Sequence, residues 1–377
     1  MNKDLEILNS SPIYAMSLGS HELFHSNIWA WMMKKYPSSI HKVFSIEGIE
    51  SPEIKREFKN RDITIKNEKS KDIWIIENKF KSIPYAEQLQ KYKDNCLKKE
   101  KFCGGILTCI SKPEFEVEGW SVLTYEEILS NIEEFLPEIH DDTDYTVLKD
   151  YILVTKTTVK LIKDKLESVD SIKLSGKDFD KLEANRISDI LRKLVAQKFV
   201  NKYREEIIKE IGVSKELIYI DTDYTNKNAI INAFILLQNV EYLKEPNRIT
   251  NKEVHYNLLI GVQIQGESFR LGVSIPTSKD NSSQDEIFDK YSKLKWFDGE
   301  FEKGKNLFEK KTKMAPSNNK KYNKYIMQKN KFIYQYFDLC SDEDKRFENV
   351  KDMIVEYLQK AKNLLKEEGM LQDDLPI

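Results

Sequence analysis

The segment DIWIIENKF, from Asp72 to Phe80, constrains the fold of this chain more than any other. Residues 73–76 are all isoleucine or tryptophan, which is typical of a buried strand, yet the segment ends in Glu, Asn and Lys. RDITIK, from Arg61 to Lys66, is typical of a second strand, and the polar residues 67–71 have the length of a hairpin turn. The sequence therefore predicts an antiparallel pair of strands with charged side chains at one end.

The residues that follow favour a parallel crossover. Pro84 begins a predicted helix that continues to about Leu97, and GGILTCI at residues 104–110 is typical of a buried strand. A strand, a helix and a second strand in this order form a right-handed βαβ unit whose strands are parallel. Together with the hairpin, this unit predicts a mixed sheet.

Helices and a further strand flank this unit in the sequence. Apolar residues at three- and four-residue spacing predict a helix over residues 19–36. After the unit, the short strand WSVL precedes TYEEILSNIEEFL, where Thr124 and Glu127 have the capping-box spacing that begins a helix. The predicted fold class is therefore α/β, a mixed sheet flanked by helices, followed by a helical and β-containing C-terminal region.

We expect three regions along the chain. Residues 1–140 form the α/β region and end at an acidic polar stretch. Residues 141–215 are expected to be long amphipathic helices, over about 145–168 and 178–211, that connect domains or mediate oligomerisation. Residues 216–377 form an α+β region suited to recognition of a substrate or a partner. Its predicted strands cover residues 217–221, 229–237, 255–265, 268–275 and 332–339, and its predicted closing helix covers residues 346–368.

Composition limits the class of protein. Apolar residues make up 40% of the 377-residue chain and charged residues 32%, which is typical of a globular protein with a solvated surface. No apolar run approaches the roughly 18 residues of a membrane helix, and the N-terminus lacks a secretory pattern. The four cysteines have no C-x-x-C spacing, which argues against a zinc site or a disulfide scaffold. We expect a cytoplasmic protein.

Charge is distributed unevenly, although the net charge is only −2. Residues 55–101 contain 14 Lys and Arg against 8 Asp and Glu, and residues 303–331 contain 10 lysines and one glutamate. Lysines neutralise phosphates while nearby aromatic rings stack on bases, so this second tract is expected to bind nucleic acid through Lys320, Lys321 and Lys324. The alternative is a solvated basic loop.

Asp62, Glu77 and Lys79 form the candidate site. Glu77 and Lys79 project to the same face of their strand because side chains alternate. If the two strands pair through the 67–71 turn, Asp62 and Glu77 meet at one end of the hairpin. Two carboxylates beside a backbone carbonyl suit Mg²⁺, and Lys79 can orient a water or neutralise charge on a phosphate. The alternative is an ordinary surface ion pair between Glu77 and Lys79.

Neighbouring helices offer further polar groups. Gln88 and Tyr92 are four residues apart and so share a helix face, where the amide can bond a phosphate oxygen or a metal-bound water. Glu22 and His25 are three residues apart on the N-terminal helix. Glu22 is a further acidic ligand candidate. His25 is a candidate proton carrier or substrate contact, although a histidine beside an apolar face is more often structural.

Three segments together resemble the PD-(D/E)XK nuclease superfamily: ELFHSNIWAW (Glu22 to Trp31), REFKNRDITI (Arg56 to Ile65) and IIENKFKSIPYAEQLQKY (Ile75 to Tyr92). The similarity is to a bacterial branch with an E-x-x-H-S helix, D and E-N-K strands and a Q-L-x-x-Y helix. It covers about the first 110 to 130 residues. One departure from the pattern is that Arg61, rather than proline, precedes Asp62.

This resemblance implies a restriction-endonuclease-like core that hydrolyses phosphodiester bonds with Mg²⁺ or Mn²⁺. The implied metal ligands are Asp62, Glu77, Glu22 and the carbonyl of Asn78. The implied catalytic set is Asp62, Glu77, Lys79, Glu22 and Gln88, and the expected substrate-binding set is Tyr92, His25, Lys320, Lys321 and Lys324. The activity so implied is that of a Mg²⁺-dependent deoxyribonuclease, an endonuclease in bacterial defence against foreign DNA, working as a homodimer or with a partner protein.

Two other function classes fit the same sequence. A non-catalytic nucleic-acid-binding protein can keep a nuclease fold, but a decayed site usually loses a charged member, and Asp62, Glu77 and Lys79 are all present. A protein-interaction module would use the long helices to dimerise. The sequence leaves open whether DNA or RNA is bound and whether cleavage is internal or from an end.

Overall fold

The computed structural model describes residues 1–97, 100–174, 176–225, 228–237, 245–246, 253–254, 258–266, 268–276, 330–339, 342, 345–367 and 371. Contacts between residues divide the chain into two compact units. The first comprises Met1–Ser168 and Lys181–Ile190, and the second comprises Val169–Asp180 and Leu191–Ile377.

Seven helices and five strands of the first unit lie within residues 1–168. The helices are α1 (Asn2–Ser10), α2 (Pro12–Ser17), α3 (His21–Lys35), α4 (Ser38–Phe44), α5 (Ala86–Leu97), α6 (Tyr125–Phe135) and α7 (Asp142–Ser168). The strands are β1 (Pro52–Phe58), β2 (Arg61–Asn67), β3 (Asp72–Lys79), β4 (Lys101–Cys109) and β5 (Trp120–Thr124). The sequence predicts α3, α5, α6 and β2 to β5, and these are confirmed. It does not predict α1, α2, α4 or β1. In β1 only Ile54 is buried, so the strand lacks an alternating apolar pattern.

The five strands form one mixed sheet in the order β1-β2-β3-β4-β5. β1 pairs antiparallel with β2, and β2 antiparallel with β3. β3 and β4 are parallel, as are β4 and β5. The predicted hairpin and the predicted parallel crossover are therefore both confirmed, and the first unit is an α/β structure with a mixed sheet flanked by helices.

The two faces of β3 contact different helices. Ile73 and Ile75 are fully buried and pack with Tyr92 and Cys96 of α5. Because side chains alternate, Glu77 and Lys79 lie on this same face. The opposite face meets α3, where the side chain of Asn78 donates a hydrogen bond to the carbonyl of Glu22. Burial on both faces explains the continuous apolar run that precedes the charged end of the strand.

The turn between β1 and β2 contains two left-handed residues, Lys59 (φ 55°) and Asn60 (φ 61°). Two consecutive positive φ values are typical of the tight hairpin turn that matches strand twist, and asparagine adopts this conformation more readily than most residues. The turn sets Phe58 opposite Arg61. It therefore fixes where β2 begins, immediately before Asp62.

The long helix α7 belongs to the first unit, whereas the sequence places a boundary at residue 140. It packs against α1, α2 and α6, and the hydroxyl of Tyr151 accepts a hydrogen bond from the indole of Trp29 on α3. The contacts with α1, α2 and α3 join residues more than a hundred positions apart. A local pattern cannot reveal such contacts, and the acidic stretch near residue 140 lies within the first unit.

The helix expected over residues 178–211 is two helices, α8 (Lys177–Ala184) and α9 (Ser188–Ile211). The break lies at Arg186, which has a φ of 54°. There the amide of Ile187 donates to the carbonyl of Leu182, a bond typical of a helix C-terminus closed by a left-handed residue. The expectation of one continuous helix was wrong because a non-glycine residue occupies the left-handed position.

The second unit contains an antiparallel five-stranded sheet in the order β12-β11-β10-β7-β6. Its strands are β6 (Ile218–Tyr224), β7 (Ala229–Leu237), β10 (Leu258–Gln265), β11 (Ser268–Pro276) and β12 (Asn330–Asp338), and the short strands β8 (Glu245–Pro246) and β9 (Glu253–Val254) pair separately. The closing helix α10 (Phe347–Glu367) packs on this sheet, with the rings of Tyr357 and Phe269 5.1 Å apart. The predicted strands and closing helix are confirmed. Within the described ranges, no helix is long and apolar enough to cross a membrane.

Candidate active site

The charged end of the β2–β3 hairpin brings Asp62 and Glu77 together. The pairing of β2 with β3 ends at Ile63 and Ile76, one residue before Asp62 and Glu77. The two carboxylates act on each other electrostatically, so both lie at this end of the hairpin, as the strand and turn lengths predict.

The Asp62 carboxylate is fixed by the backbone of the neighbouring strand. Its Oδ2 atom accepts a hydrogen bond of 2.7 Å from the amide of Asn78. Burial raises the pKa of Asp62, opposed by that hydrogen bond and by the ammonium of Lys79. The nearby Glu22 carboxylate acts in the same direction as burial. Asp62 is therefore a half-buried carboxylate within an acidic neighbourhood.

Glu77 and Lys79 form a buried ion pair. Their side chains are 4% and 12% exposed, and Nζ of Lys79 lies 2.9 Å from Oε1 of Glu77. Burial raises the pKa of Glu77 to about 7, partly offset by Lys79 and increased by Asp62. Burial lowers the pKa of Lys79, but the surrounding carboxylates outweigh it and the net change is upward. Charged pairs this deeply buried are uncommon because desolvation is costly.

One oxygen of Glu77 lacks a hydrogen-bond partner among the described residues. Oε1 accepts from Lys79 and from the amide of Gln88, 2.9 Å away, whereas Oε2 is buried and makes no hydrogen bond within the described part of the chain. Most buried polar atoms have a partner, so an orphaned carboxylate oxygen calls for an explanation such as an ion. It lies at the centre of the predicted site.

Gln88 and Tyr92 share one face of α5, as their spacing predicts, and lie beside Glu77. The Gln88 amide donates to both Oε1 of Glu77 and the hydroxyl of Tyr92, at 2.9 Å each. Tyr92 in turn donates to the carbonyl of Asn60 in the β1–β2 turn. This chain of bonds ties α5 to the hairpin turn and fixes the orientation of the Glu77 carboxylate.

Glu22 reaches the site from α3 but is held by a loop. Its Oε1 atom accepts from the amides of Lys81 and Ser82 at 3.0 and 2.8 Å, and from the Ser82 hydroxyl at 2.6 Å. Its charge nevertheless acts on Asp62, Glu77 and Lys79. Glu22 therefore joins the acidic cluster electrostatically while one of its oxygens orders the loop after β3.

The side chain of Asn78 has a structural role that the sequence does not predict. Its amide nitrogen donates to the Glu22 carbonyl and to the Ser26 hydroxyl, and its oxygen accepts from Thr108 and Tyr125. The residue is 1% exposed. One amide thus joins α3, β3, β4 and α6 directly behind the carboxylates.

His25 lies away from the carboxylates, in an aromatic cluster. It is 2% exposed, and its Nδ1 atom is 2.9 Å from the hydroxyl of Tyr151. Its ring centroid is 4.3 Å from that of Phe80 and 4.9 Å from that of Tyr125. Burial holds the pKa of His25 well below its usual value. A neutral side chain enclosed in this way cannot contact a substrate unless the core opens, so the substrate-binding expectation for His25 is corrected to a core role.

Arg56 is the neighbour of Asp62 to which the sequence gives no role. Its Nε donates to the Asn27 side chain at 2.9 Å, and Nη1 donates to the Asp62 carbonyl at 3.0 Å. Both acceptors are neutral, and within the described residues Arg56 makes no ion pair closer than 4.0 Å. The feature of the sequence that could have indicated a role for Arg56 is its position six residues before Asp62, in the segment REFKNRD.

The residues present fit a hard divalent cation in part. Among the described residues, no group of three or more His, Cys, Asp or Glu is arranged to hold a metal ion. Asp62 and Glu77 nevertheless supply two adjacent carboxylates, and the unpartnered Oε2 of Glu77 is the kind of oxygen that Mg²⁺ prefers. The remaining positions around such an ion are commonly filled by water and substrate phosphate.

Lys320, Lys321 and Lys324 lie outside the described residues, so their expected contact with nucleic acid stays a prediction.

No protein-family model matches this chain, and no curated protein or solved structure matches it.

Proposed function

We propose that this protein is a Mg²⁺- or Mn²⁺-dependent nuclease with a restriction-endonuclease-like core of the PD-(D/E)XK type. The observation that carries the proposal is the buried Glu77–Lys79 pair beside Asp62, in which one oxygen of Glu77 has no partner among the residues that the structure describes. Clustered, pKa-shifted carboxylates in contact with a lysine occur preferentially at functional sites. The motif order in the sequence supports the same reading.

A purely structural ion pair explains the site less well. Glu53 and Lys55 form such a pair on β1, 2.8 Å apart with side chains 38% and 40% exposed, where water screens both charges. Glu77 and Lys79 instead bear the cost of desolvation next to a second carboxylate. A cation bound by Asp62 and Glu77 would offset that cost. The arrangement is thus more useful for binding a metal than for stabilising the fold.

Each side chain has a defined task in the proposed reaction. Asp62 and Glu77, with Glu22 and the Asn78 carbonyl, would hold the metal. When bound, the metal would supply Lewis-acid stabilisation of the phosphodiester. Lys79 orients the attacking water or neutralises charge on the phosphate. Gln88 fixes the Glu77 carboxylate, and Arg56, held by neutral acceptors, offers the remaining donors of its guanidinium to a substrate phosphate.

The substrate we propose is DNA, cut internally. The basic character of residues 55–101 supports a polyanion near the site, and the proposed role is cytoplasmic defence of a bacterial cell against foreign DNA. Tyr92 and the tract that includes Lys320, Lys321 and Lys324 are the proposed substrate contacts. A homodimer would allow both strands of a duplex to be cut.

Cleavage of linear, circular and single-stranded DNA with Mg²⁺ or Mn²⁺ tests the proposal, with RNA as a further substrate. Glu77→Gln and Lys79→Met should each lower the cleavage rate by about 10²–10³-fold, the cost of removing a group that stabilises charge in the transition state. Opening of the circular substrate would identify an endonuclease.

Glu53→Gln and Lys55→Met are the matched controls, because they remove the same charges from the exposed pair on β1. Both should cleave like the unaltered protein. Metal-dependent cleavage that survives Glu77→Gln and Lys79→Met would place the active site elsewhere. Binding of DNA without cleavage by any variant would instead favour a non-catalytic nucleic-acid-binding protein.

A further inference from the structure

Arg56, on β1, is a cation with two neutral hydrogen-bond partners. Its Nε atom donates a hydrogen bond of 2.9 Å to Oδ1 of Asn27 on α3, and Nη1 donates one of 3.0 Å to the carbonyl of Asp62. Among the described residues, these bonds use two of the five N–H groups of the guanidinium, and no ion pair uses the others. Within that part of the chain, Nη2 therefore keeps its N–H groups for a further acceptor.

The nearest lysines in the sequence are arranged differently. Lys55 lies 2.8 Å from Glu53, and Lys59 lies 2.9 Å from Glu100. Each of these ammonium groups is compensated by a carboxylate, whereas the guanidinium of Arg56 contacts an amide oxygen and a backbone carbonyl. Arg56 is thus the cation of this group that is suited to an external anion.

Burial adds to the attraction of Arg56 for an anion. It lowers the pKa of Arg56 and outweighs the opposing charges of Asp62 and Glu57, so the guanidinium is desolvated more than it is compensated. A charge removed from water is stabilised when an oppositely charged group makes hydrogen bonds to it. A phosphate oxygen is such a group, and a guanidinium matches it well.

Asn27 restrains the orientation of this guanidinium. It bonds Nε, next to the stem of the side chain, while the carbonyl of Asp62 bonds Nη1. Two acceptors on two different elements, α3 and β2, therefore hold one planar group. A cation that is already oriented loses less conformational freedom when it binds an anion.

Arg56 and Lys79 lie on opposite faces of the sheet at the end of the hairpin. Arg56 is paired with Ile63, and Ile63 with Ile76, so these side chains share one face. Lys79 is three residues after Ile76 on β3 and projects to the opposite face. The charges of both cations act on Asp62. A nucleic-acid strand that crosses the hairpin end at Asp62 would therefore meet Lys79 on one side and Arg56 on the other.

We propose that Arg56 binds a backbone phosphate next to the scissile one, and that Asn27 is the positioning residue that holds its guanidinium for this contact. This role rests on the proposed nuclease function and adds to it a phosphate contact that requires no metal ion. Contacts to phosphate fix where a strand lies but carry no base information, so the contribution of Arg56 should be the same for every sequence.

Binding of the full chain to two labelled DNA duplexes of equal length and different sequence tests the Arg56 contact, in EDTA and over a series of NaCl concentrations. Arg56→Met should weaken binding to both duplexes by at least about tenfold. The slope of log affinity against log salt should fall by about one, because one phosphate contact is lost. Arg56→Lys should keep most of the slope but recover only part of the affinity, since lysine lacks the planar fork.

Asn27→Ala tests the positioning role. It should weaken binding by about two- to tenfold, as expected for loss of one hydrogen bond, while the salt slope stays near that of the unaltered chain because the cation remains. In a chain that already carries Arg56→Met, the same substitution should have no further effect, since Asn27 acts through Arg56. A merely structural role of Asn27 would give additive losses instead.

Lys55→Met is the control for Arg56→Met, because it removes a cation from the adjacent position whose charge Glu53 already compensates. Its salt slope should match that of the unaltered chain. Equal slopes for these two variants, additive losses for Asn27→Ala and Arg56→Met, or no saturable binding in EDTA would overturn the proposal.

A parallel cleavage assay with Mg²⁺ separates this proposal from the nuclease function. Cleavage that is lost in Glu77→Gln, with equal salt slopes for Arg56→Met and Lys55→Met, would keep the nuclease and remove the Arg56 contact. A salt slope that depends on Arg56, without cleavage by any variant, would keep the phosphate contact in a protein that only binds nucleic acid.

Discussion

The sheets of the two units both bury polar side chains, but they do so in different ways. In the second unit, the amide of Asn232 donates to Asp223 and its oxygen accepts from Gln263, whose own oxygen accepts from Arg270. The side-chain amides of Asn232 and Gln263 thus each donate one hydrogen bond and accept another, and these bonds form a polar row across four strands. In the first unit, Glu77 is equally buried, yet its Oε2 atom has no partner within the described residues.

The difference separates polar groups that specify a structure from polar groups that are available for chemistry. A buried amide whose donors and acceptors are all bonded contributes to strand register and to a unique packing. A buried carboxylate with an unbonded oxygen, beside a second carboxylate, lowers the stability of the fold until something binds. Burial alone therefore does not distinguish these two arrangements; the hydrogen bonds of each polar atom do.

Asn78 tests this distinction inside the first unit, because it adjoins Glu77 but has its side-chain amide fully bonded. Asn78→Leu would remove one hydrogen bond each from Ser26, Thr108 and Tyr125, at a cost of about 3–5 kcal/mol in the free energy of unfolding. Urea unfolding followed by tryptophan fluorescence measures this loss, since Trp29 lies in the same unit.

Asn131→Leu is the control for Asn78→Leu, because within the described part of the chain the side chain of Asn131 makes a single hydrogen bond, to the carbonyl of Val43. Its cost should be about 1 kcal/mol. Similar losses for the two variants would mean that the bonds of Asn78 do little to hold the first unit together.

His21 makes the stability of the first unit depend on pH. Burial lowers the pKa of His21 to about 4, aided by Lys81 and Arg186 and opposed by Asp189. The folded state thus favours the neutral ring. The contribution of this neutral ring to the free energy of unfolding is complete above the unfolded pKa of about 6.5 and is lost as the pH falls through about 4. We expect a loss of up to about 3 kcal/mol over that range, from a shift of about 2.5 pKa units.

Urea unfolding at pH 7 and pH 4 measures this dependence against His21→Phe, which cannot ionise. The variant should lose less stability on acidification than the unaltered chain. His41→Phe removes an exposed histidine and should keep the full dependence. An unchanged pH profile in His21→Phe would assign the acid sensitivity to other groups.

In the second unit, Gln263→Ala should break the polar row. It leaves the oxygen of Asn232 unbonded and removes one acceptor of Arg270, so we expect a destabilisation of about 2–3 kcal/mol. Hydrogen exchange in peptides from β7 and β10 should rise, with DNA cleavage unaltered. Gln265→Ala, half-buried on the same strand, should change exchange little. Equal protection in both variants would show that the row is not structural.

Substitution of Gln88 is expected to have the smallest effect, a change in metal affinity or cleavage rate. Gln88→Ala frees the Glu77 carboxylate to rotate, and groups that orient a metal ligand typically contribute about 10–100-fold to metal affinity or activity. Gln90→Ala is the control on the same helix, since among the described residues Gln90 bonds only the exposed Asp94. Metal-dependent cleavage rates of the two variants should differ by at least tenfold. Equal rates would remove Gln88 from the site.

Local sequence patterns account for a large part of the first unit. The sequence predicts the β2–β3 hairpin, the parallel crossover through α5, and the capping box of Thr124 and Glu127. Each of these features depends on residues close together in the chain. The sequence does not predict the strand β1 or the break at Arg186. β1 lacks an alternation of apolar residues, and the break depends on a backbone conformation that arginine seldom adopts.

The sequence by itself determined that Asp62, Glu77 and Lys79 would share one end of one sheet, since alternation and turn length fix register locally. Only the tertiary structure decided what each group does there. Burial by α5 shifts the pKa of Glu77, and Tyr151, 126 positions from His25, encloses that histidine in the core. Such contacts join distant segments, and desolvation depends on everything packed around a group, so neither follows from the order of residues along a strand.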